Sequence, residues 1–217
     1  MMDLKLARRG DSFKVLCLGA HSDDIEIGCG GTVLKLIEEQ KRIAFEWVVL
    51  SADERRRKEA EASAAAFLAG VADKTVVVRE FRDGFFPYAG GEIKEFFEEL
   101  KLAVDPDLIF THGRSDLHQD HRLVSELTWN TFRDHLILEY EIPKYDGDLG
   151  APNVFVPLDE TVCGTKIRLI LKYFKSQAGN RWFTKETFMA IMRLRGIESN
   201  APDGYAEAFY NRKLILS

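Results

Sequence analysis

Cysteine is scarce in this chain, and its spacing excludes the usual cysteine-based frameworks. The 217 residues contain only Cys17, Cys29 and Cys163, and no two of them form a CxxC pair. An odd number of widely separated cysteines predicts neither a disulfide scaffold nor a cysteine-ligated zinc finger. We therefore expect reduced thiols and a cytoplasmic protein.

Long apolar runs and an excess of positive charge are also missing. No segment approaches the roughly 20 apolar residues that span a bilayer, and the charged residues 1–13 are not followed by an apolar run long enough for a leader peptide. Neither a membrane span nor a leader peptide is therefore predicted. Thirty Lys and Arg residues against thirty-five Asp and Glu residues give a net charge of −5. Sequence-independent binding of nucleic acid is not expected, because it requires a basic surface. The oligomeric state cannot be predicted from the sequence.

The chain does contain a regular alternation of strand-like and helix-like segments through residue 142. Helical spacing at 32–41, 53–68, 92–104 and 117–134 separates strand-like runs at 13–20, 43–50, 75–78, 108–111 and 137–142. This order predicts an α/β fold, with a Rossmann-like, mostly parallel sheet and helices on both faces.

The pattern is looser after residue 143. A turn-rich stretch at 143–157 precedes two helical segments at 161–174 and 185–194, and a strand-like segment covers 205–216. We expect a single domain over residues 1–217, in which residues of about 143–204 form a cap over the sheet.

Two short motifs place histidine and aspartate after predicted strands. Residues 20–24 (Ala-His-Ser-Asp-Asp) follow the first strand, and residues 116–121 (Asp-Leu-His-Gln-Asp-His) follow the fourth. Ligands bind at the carboxyl ends of parallel strands, so the fold can bring the two motifs together across ~100 residues of sequence. Two histidines and one carboxylate with an open position are typical of a catalytic metal site.

The first motif resembles the AHPDDxExGxGGT signature of the PIG-L/LmbE-like N-acetylglucosaminyl deacetylases. The chain reads Ala-His-Ser-Asp-Asp-Ile-Glu-Ile-Gly-Cys-Gly-Gly-Thr over residues 20–32, and residues 118–121 resemble the HxDH motif of that family. The similarity extends to the alternation of strands and helices and, weakly, to residues 204–209. Ser22 stands where the family usually has proline, which would stiffen the loop but would supply no ligand.

The resemblance implies that His21, Asp24 and His121 bind one divalent metal, usually zinc, with iron as the alternative. It also implies that Asp23 is the general base and His118 the electrostatic and acid partner. Zinc lowers the pKa of a bound water to about 7. After Asp23 accepts the proton, hydroxide would attack the acetyl carbonyl of an N-acetylated sugar or glycoconjugate. The sequence leaves open which sugar is used and whether Asp23 or His118 protonates the leaving amine.

Three further polar residues are candidates for supporting roles. Asp120 is expected either to orient a metal-binding histidine or to occupy the first turn of a helix, which favours acidic residues. Arg55 opens a charged helix at the end of a strand, where it could meet an anionic part of the substrate. Arg195 is predicted to reach the substrate from the cap.

Other residues near the motifs have simpler structural interpretations. His112 ends the fourth strand, where it could line the mouth of the site, but a satisfied loop histidine is the preferred interpretation. The glycines at 28, 30 and 31 are assigned turn and close-packing roles, because a dinucleotide-binding GxGxxG motif would require glycine in place of Val33. Asp116 is interpreted as a helix cap that acts together with Gln119.

Two other classes of function fit parts of this pattern. Two histidines and a carboxylate also form the facial triad of iron(II) oxygenases, and a Rossmann-like sheet can serve as a non-catalytic module that binds a sugar or nucleotide. A second aspartate beside the metal-binding one and an extra histidine favour hydrolysis, which needs a base and an oxyanion donor. A binding module would purify without stoichiometric metal.

Overall fold

The structure is a computed structural model that describes residues 6 and 12–215, and the strands of this part form one seven-stranded sheet. The N-terminal segment in which no leader peptide is predicted lies mostly outside the described residues. The order of strands across the sheet is β3-β2-β1-β4-β5-β7-β6. The strands are β1 (Phe13–His21), β2 (Ile43–Ser51), β3 (Asp73–Val78), β4 (Leu108–His112), β5 (Leu136–Tyr140), β6 (Val154–Leu158) and β7 (Tyr205–Tyr210). The first five strands pair in parallel, and β7 is antiparallel to both of its neighbours.

Helices cover both faces of this sheet, as predicted. They are α1 (Asp24–Glu39), α2 (Glu54–Phe67), α3 (Gly90–Ala103), α4 (Gln119–Thr131), α5 (Glu160–Tyr173) and α6 (Lys185–Ser199), with 3₁₀ turns at Phe86–Tyr88 and Lys175–Gln177. No helix among the described residues is both long enough and apolar enough to cross a membrane.

The central strand β1 shows why the layers form on both sides. Val15 and Cys17 face the core beneath α1, α2 and α5. Leu16 and Leu18 face a second core beneath α3 and α4. A parallel strand that is buried on both faces reads as a continuous apolar run instead of an alternating one. This burial fixes the carboxyl end of β1, where the first motif begins.

Helix α1 begins eight residues before the predicted start, so the glycines at 28, 30 and 31 lie inside a helix and the predicted turn role is wrong. Their close-packing role is confirmed. A Cβ atom on Gly28 would lie 2.3 Å from the Tyr140 ring, and one on Gly30 would lie 2.8 Å from the Phe67 ring. Because glycine has a low helix propensity, the sequence pattern did not predict that this segment is part of the helix.

Residues 154–173, which the sequence places in a cap over the sheet, belong instead to the layers of the fold. Strand β6, which was not predicted, is the edge strand beside β7, and α5 packs against α1 and α2. Pro157 led us to predict a turn in place of β6, although proline is tolerated in an edge strand. The last strand ends at Tyr210, short of the predicted residue 216, which lies outside the described residues.

Candidate metal centre

The two motifs meet at the carboxyl edge of the parallel strands. His21 ends β1, and His121 lies in the first turn of α4, which follows the neighbouring strand β4. Nδ1 of His21 lies 3.1 Å from Nε2 of His121. Oδ2 of Asp24 lies 3.4 Å from the same His21 nitrogen and 3.6 Å from the same His121 nitrogen. The structure therefore brings together the three residues predicted as metal ligands.

The triangle formed by these three atoms fits one small divalent ion. Tetrahedral ligands about 2.1 Å from zinc are roughly 3.4 Å apart, which is close to all three of these distances. Imidazole nitrogen and carboxylate oxygen are donors that both zinc and iron accept. Among the described residues, three overlapping groups of side chains have donor atoms that lie within 4.8 Å of one another inside each group. They are His21, His118 and His121; His21, Asp83, His118 and Asp120; and Asp24, His112 and His121.

The electrostatic environment suits Asp24 and His121 to metal binding. Burial raises the pKa of Asp24, but the neighbouring His121 and His112 outweigh this effect and hold it well below its usual value. Burial, assisted by His112, lowers the pKa of His121 to about 4. The carboxylate is therefore ionised and the imidazole neutral near neutral pH, which are the forms that bind metal.

Asp23 is placed differently from its neighbour. It is the N-cap residue of α1, but its side chain makes no capping hydrogen bond and is almost fully buried. Burial and the charge of Asp24 raise the pKa of Asp23 to about 7. A carboxyl group with this pKa can both accept and release a proton near neutral pH.

Helix α4 begins two residues after the predicted start. His118, which the prediction placed inside the helix, therefore precedes it. As the N-cap residue, His118 accepts a hydrogen bond at Nδ1 from the backbone N–H of Asp120, at 3.3 Å. Its ring centroid lies 4.9 Å from that of His21. Burial and the neighbouring His21 lower the pKa of His118. A neutral imidazole that accepts at Nδ1 carries its proton at Nε2.

Asp120 contacts a predicted metal ligand, as one of its two interpretations requires. Its Oδ2 atom lies 3.3 Å from Nε2 of His21 and accepts a hydrogen bond from the backbone N–H of Gly84 at 2.6 Å. Its Oδ1 atom accepts one from the N–H of Phe86 at 3.1 Å. Asp120 thus joins His21 to the loop that follows β3.

The family model described as PIG-L, GlcNAc-PI de-N-acetylase, matches residues 16–132. This stretch is more than half of the chain and contains both motifs. The chain belongs to the PIG-L family.

Solved structures show that the PIG-L chain shares its fold with several proteins. The conserved protein TT1542 from Thermus thermophilus is 20% identical, with 94% of this chain and 96% of that chain covered and a TM-score of 0.71. An N,N′-diacetylchitobiose deacetylase from Pyrococcus horikoshii is 22% identical, with coverages of 93% and 84% and a TM-score of 0.67. GalB, a 4-carboxy-2-hydroxymuconate hydratase from Pseudomonas putida, is 17% identical, with coverages of 94% and 98% and a TM-score of 0.71. At these identities the likeness shows the fold alone.

The PIG-L chain places His112 in the centre itself, as the alternative interpretation expected, and the preferred interpretation as an ordinary loop histidine is wrong. His112 is fully buried, and its Nε2 accepts the backbone N–H of Ala20 at 2.9 Å. The same nitrogen lies 3.2 Å from Oδ2 of Asp24, and the ring stacks on that of His121 at 3.9 Å between centroids. Its position at the carboxyl end of β4 was the signal that could have identified it.

Asp83 and Asp116 also contact the PIG-L centre without having been predicted to do so. Asp83, in the loop after β3, lies 3.1 Å from Nε2 of His21, and this hydrogen bond lowers its pKa to about 2. Asp116 does not cap α4, because His118 holds that position; its Oδ2 lies 2.9 Å from Nδ1 of His121. Neither aspartate stands at a spacing that would distinguish it from a loop residue.

The two arginines predicted to bind substrate have partners elsewhere. The Arg195 guanidinium is held by Glu141, with contacts of 2.8 and 2.9 Å, and by Glu198. Arg55 is exposed beside Glu59. Its neighbour Arg56 does reach the centre, because it donates to Asp83 at 3.3 Å.

Proposed function

We propose that this chain is a metal-dependent N-deacetylase that removes the acetyl group from an N-acetylated sugar or glycoconjugate. The observation that carries the proposal is the set of three donor atoms, on His21, Asp24 and His121, that lie within 3.6 Å of one another beside the buried Asp23. Membership of the PIG-L family supports the assignment, as does a structure of similar fold that is an N,N′-diacetylchitobiose deacetylase.

His21, Asp24 and His121 would hold the ion, which we propose to be zinc, with iron as the alternative. When bound, such an ion supplies a Lewis acid that polarises a carbonyl oxygen and lowers the pKa of a water molecule to about 7. Asp120 and Asp116 orient the two histidines, since Asp120 contacts His21 and Asp116 contacts His121. Such supporting carboxylates fix both the orientation and the tautomer of a ligating imidazole.

Asp23 is the base that takes a proton from the attacking water. Asp24 is unsuited to this role because its Oδ2 atom already accepts the backbone N–H of His21 at 2.6 Å and faces the histidines. The raised pKa of Asp23 allows the same carboxyl group to pass the proton on to the leaving amine. We therefore assign both proton transfers to Asp23.

His118 donates a hydrogen bond to the acetyl carbonyl oxygen as negative charge develops on it. Nδ1 of His118 is occupied by the N–H of Asp120, so the neutral ring presents an N–H donor at Nε2. His118 is also more exposed than the buried His112 and His121, which favours it over them as the histidine that meets the substrate. A preorganised donor of this kind typically contributes ~3 kcal/mol to transition-state stabilisation.

Acetate release from a panel of N-acetyl sugars tests the proposal, with metal content measured on the same sample. We expect one divalent ion per chain and acetate from at least one sugar. Asp23→Asn should retain the ion and lose nearly all turnover. Asp73→Asn is the matched control, because Asp73 is exposed at the start of β3, at the edge of the sheet opposite the centre.

Other outcomes would identify the competing functions. An iron(II) oxygenase would require oxygen and a 2-oxoacid and would release no acetate. A non-catalytic binding module would purify without metal, and its ligand affinity would be unaffected by Asp23→Asn. Because a hydratase shares this fold, direct detection of acetate is needed to establish the activity.

A further inference from the structure

A cleft of about 360 Å³ opens between the loop after β3 and the start of α4. We call it the outer cleft, and five residues line it: Gly84, Phe85, Pro87, Tyr88 and Gln119. Its volume falls within the roughly 300–1,000 Å³ that small-molecule sites occupy. The metal centre lies beside this cleft and is not part of its lining.

Two aromatic rings of the outer cleft are exposed to solvent. Tyr88 is 86% exposed and Phe85 is 39% exposed, and their ring centroids are 5.9 Å apart. Between them in sequence, Phe86 is fully buried and anchors the 3₁₀ turn that carries them. The Arg82 guanidinium lies 3.5 Å from the centroid of Phe85 and covers one of its faces. The Tyr88 ring is therefore held on an anchored turn with its faces available.

The walls of the outer cleft are joined directly to the metal centre. Gly84 follows Asp83, whose carboxylate lies 3.1 Å from Nε2 of His21, and its own N–H is bound by Asp120. On the other wall, Gln119 follows His118 and donates from its side chain to the carbonyl of Gly84 at 2.8 Å. A group attached to a sugar bound at the metal centre therefore has the outer cleft next to it.

The lining indicates which kind of group fits. None of the five lining side chains is charged, and the nearby Arg82 guanidinium packs on the ring of Phe85. An acyl chain would need continuous apolar walls, whereas here the Gln119 carboxamide and the Gly84 peptide interrupt the aromatic surface. A pyranose ring has an apolar C–H face that can pack on Tyr88 and hydroxyl groups that can bond to the amides.

We propose that the outer cleft is a second carbohydrate subsite, which binds a saccharide ring linked to the acetamido sugar undergoing deacetylation. The proposal rests on the proposed deacetylase function and narrows its substrate class to disaccharides and longer glycans. Tyr88 supplies the stacking surface of this subsite, and Gln119 supplies a polar edge.

The test compares acetate release by the metal-loaded enzyme from N-acetylglucosamine and from N,N′-diacetylchitobiose. We expect kcat/KM for the disaccharide to exceed that for the monosaccharide by roughly tenfold, equivalent to one stacked ring. Tyr88→Ala should remove most of this difference, chiefly by raising KM for the disaccharide. Tyr88→Phe should keep the preference. Leu102→Ala, at an equally exposed apolar residue near the end of α3, should change neither substrate.

The outcomes separate a failure of the subsite from a failure of the function. If the metal-loaded protein releases acetate from neither sugar, the deacetylase function fails for these sugars and the subsite fails with it. If both sugars are used equally, or if Tyr88→Ala lowers both kcat/KM values by the same factor, the subsite is overturned while the deacetylase function stands. A Tyr88-dependent preference for an octyl N-acetylglucosaminide over the disaccharide would overturn the carbohydrate assignment in favour of an apolar aglycone.

Discussion

The Asp116 carboxylate lies 2.9 Å from Nδ1 of His121, and this contact determines which imidazole nitrogen faces the metal centre. The same Asp116 oxygen lies 3.0 Å from the Lys144 ammonium, which Asp148 also contacts. Lys144 and Asp148, in the loop after β5, thereby hold Asp116 in place from outside the centre. We therefore expect the metal affinity of the site to depend on this chain of contacts as well as on the three proposed ligands.

Substituting Lys144 should therefore weaken metal binding without removing a ligand. We expect Lys144→Met to lower zinc affinity by about 10- to 100-fold, the range typical for groups that support a ligating histidine. Lys144→Arg should recover part of the loss, because it restores the positive charge beside Asp116. Competition with a chromophoric chelator measures the affinity. Lys58→Met, at an exposed ion pair on α2, should leave the affinity unchanged; an equal loss there would contradict the role of Lys144.

Removing the carboxylate of Asp23 should change how the metal-free protein responds to pH. Its pKa rises from 3.8 to about 7 on folding, so the folded state binds more protons than the unfolded state between these values. Its contribution to stability is fully present below pH 3.8 and is lost as pH rises through about 7. As pH rises through this window, the free energy of unfolding of Asp23→Asn should increase relative to that of wild type. Urea titration at several pH values measures both free energies. A difference that does not change with pH would refute the raised pKa.

His118 should affect turnover and not metal content. We expect His118→Ala to bind its ion normally and to lower kcat by roughly 10²–10³, because the donor acts on the charge that develops in the transition state. Metal analysis and steady-state kinetics on one preparation measure both quantities. Full activity in this variant would exclude the proposed hydrogen bond, and a parallel loss of metal would instead place His118 among the ligands.

The buried ion pair between Lys166 and Glu207 should be required for stability. Lys166 Nζ lies 2.6 Å from Glu207 Oε1, and Glu207 also accepts the backbone N–H groups of Gly31 and Thr32 in α1. Lys166→Met leaves this carboxylate buried and unpaired, which typically costs about 3–5 kcal/mol. Urea denaturation measures the loss. Lys58→Met, at an exposed pair worth about 0–1 kcal/mol, provides the comparison.

The sequence predicted the parts of the molecule that have a local signal. Apolar runs and helical spacing located the five parallel strands and their helices, and the strand-end rule brought His21 and His121 together. Asp83 and Lys144 had no such signal, because each is an ordinary charged loop residue whose role depends on a contact across the fold. His112 had only its position at a strand end. For contacts of this kind the fold must be known first.

The low helix propensity of glycine made the predicted start of α1 too late. The close packing of the glycines in this part of the helix can be tested with a pair of glycine substitutions. Gly28→Ala places a Cβ atom 2.3 Å from the Tyr140 ring, and Tyr140 donates to the Leu18 carbonyl at 2.6 Å, so the ring cannot move without breaking that bond. We expect a loss of about 1–3 kcal/mol from overpacking. Gly164→Ala, in α5, meets no atom within 4 Å and should stabilise by roughly 0.5–1 kcal/mol. Chemical denaturation of both variants checks the signs; if Gly28→Ala stabilised the protein as Gly164→Ala does, the close approach of α1 to Tyr140 would be wrong.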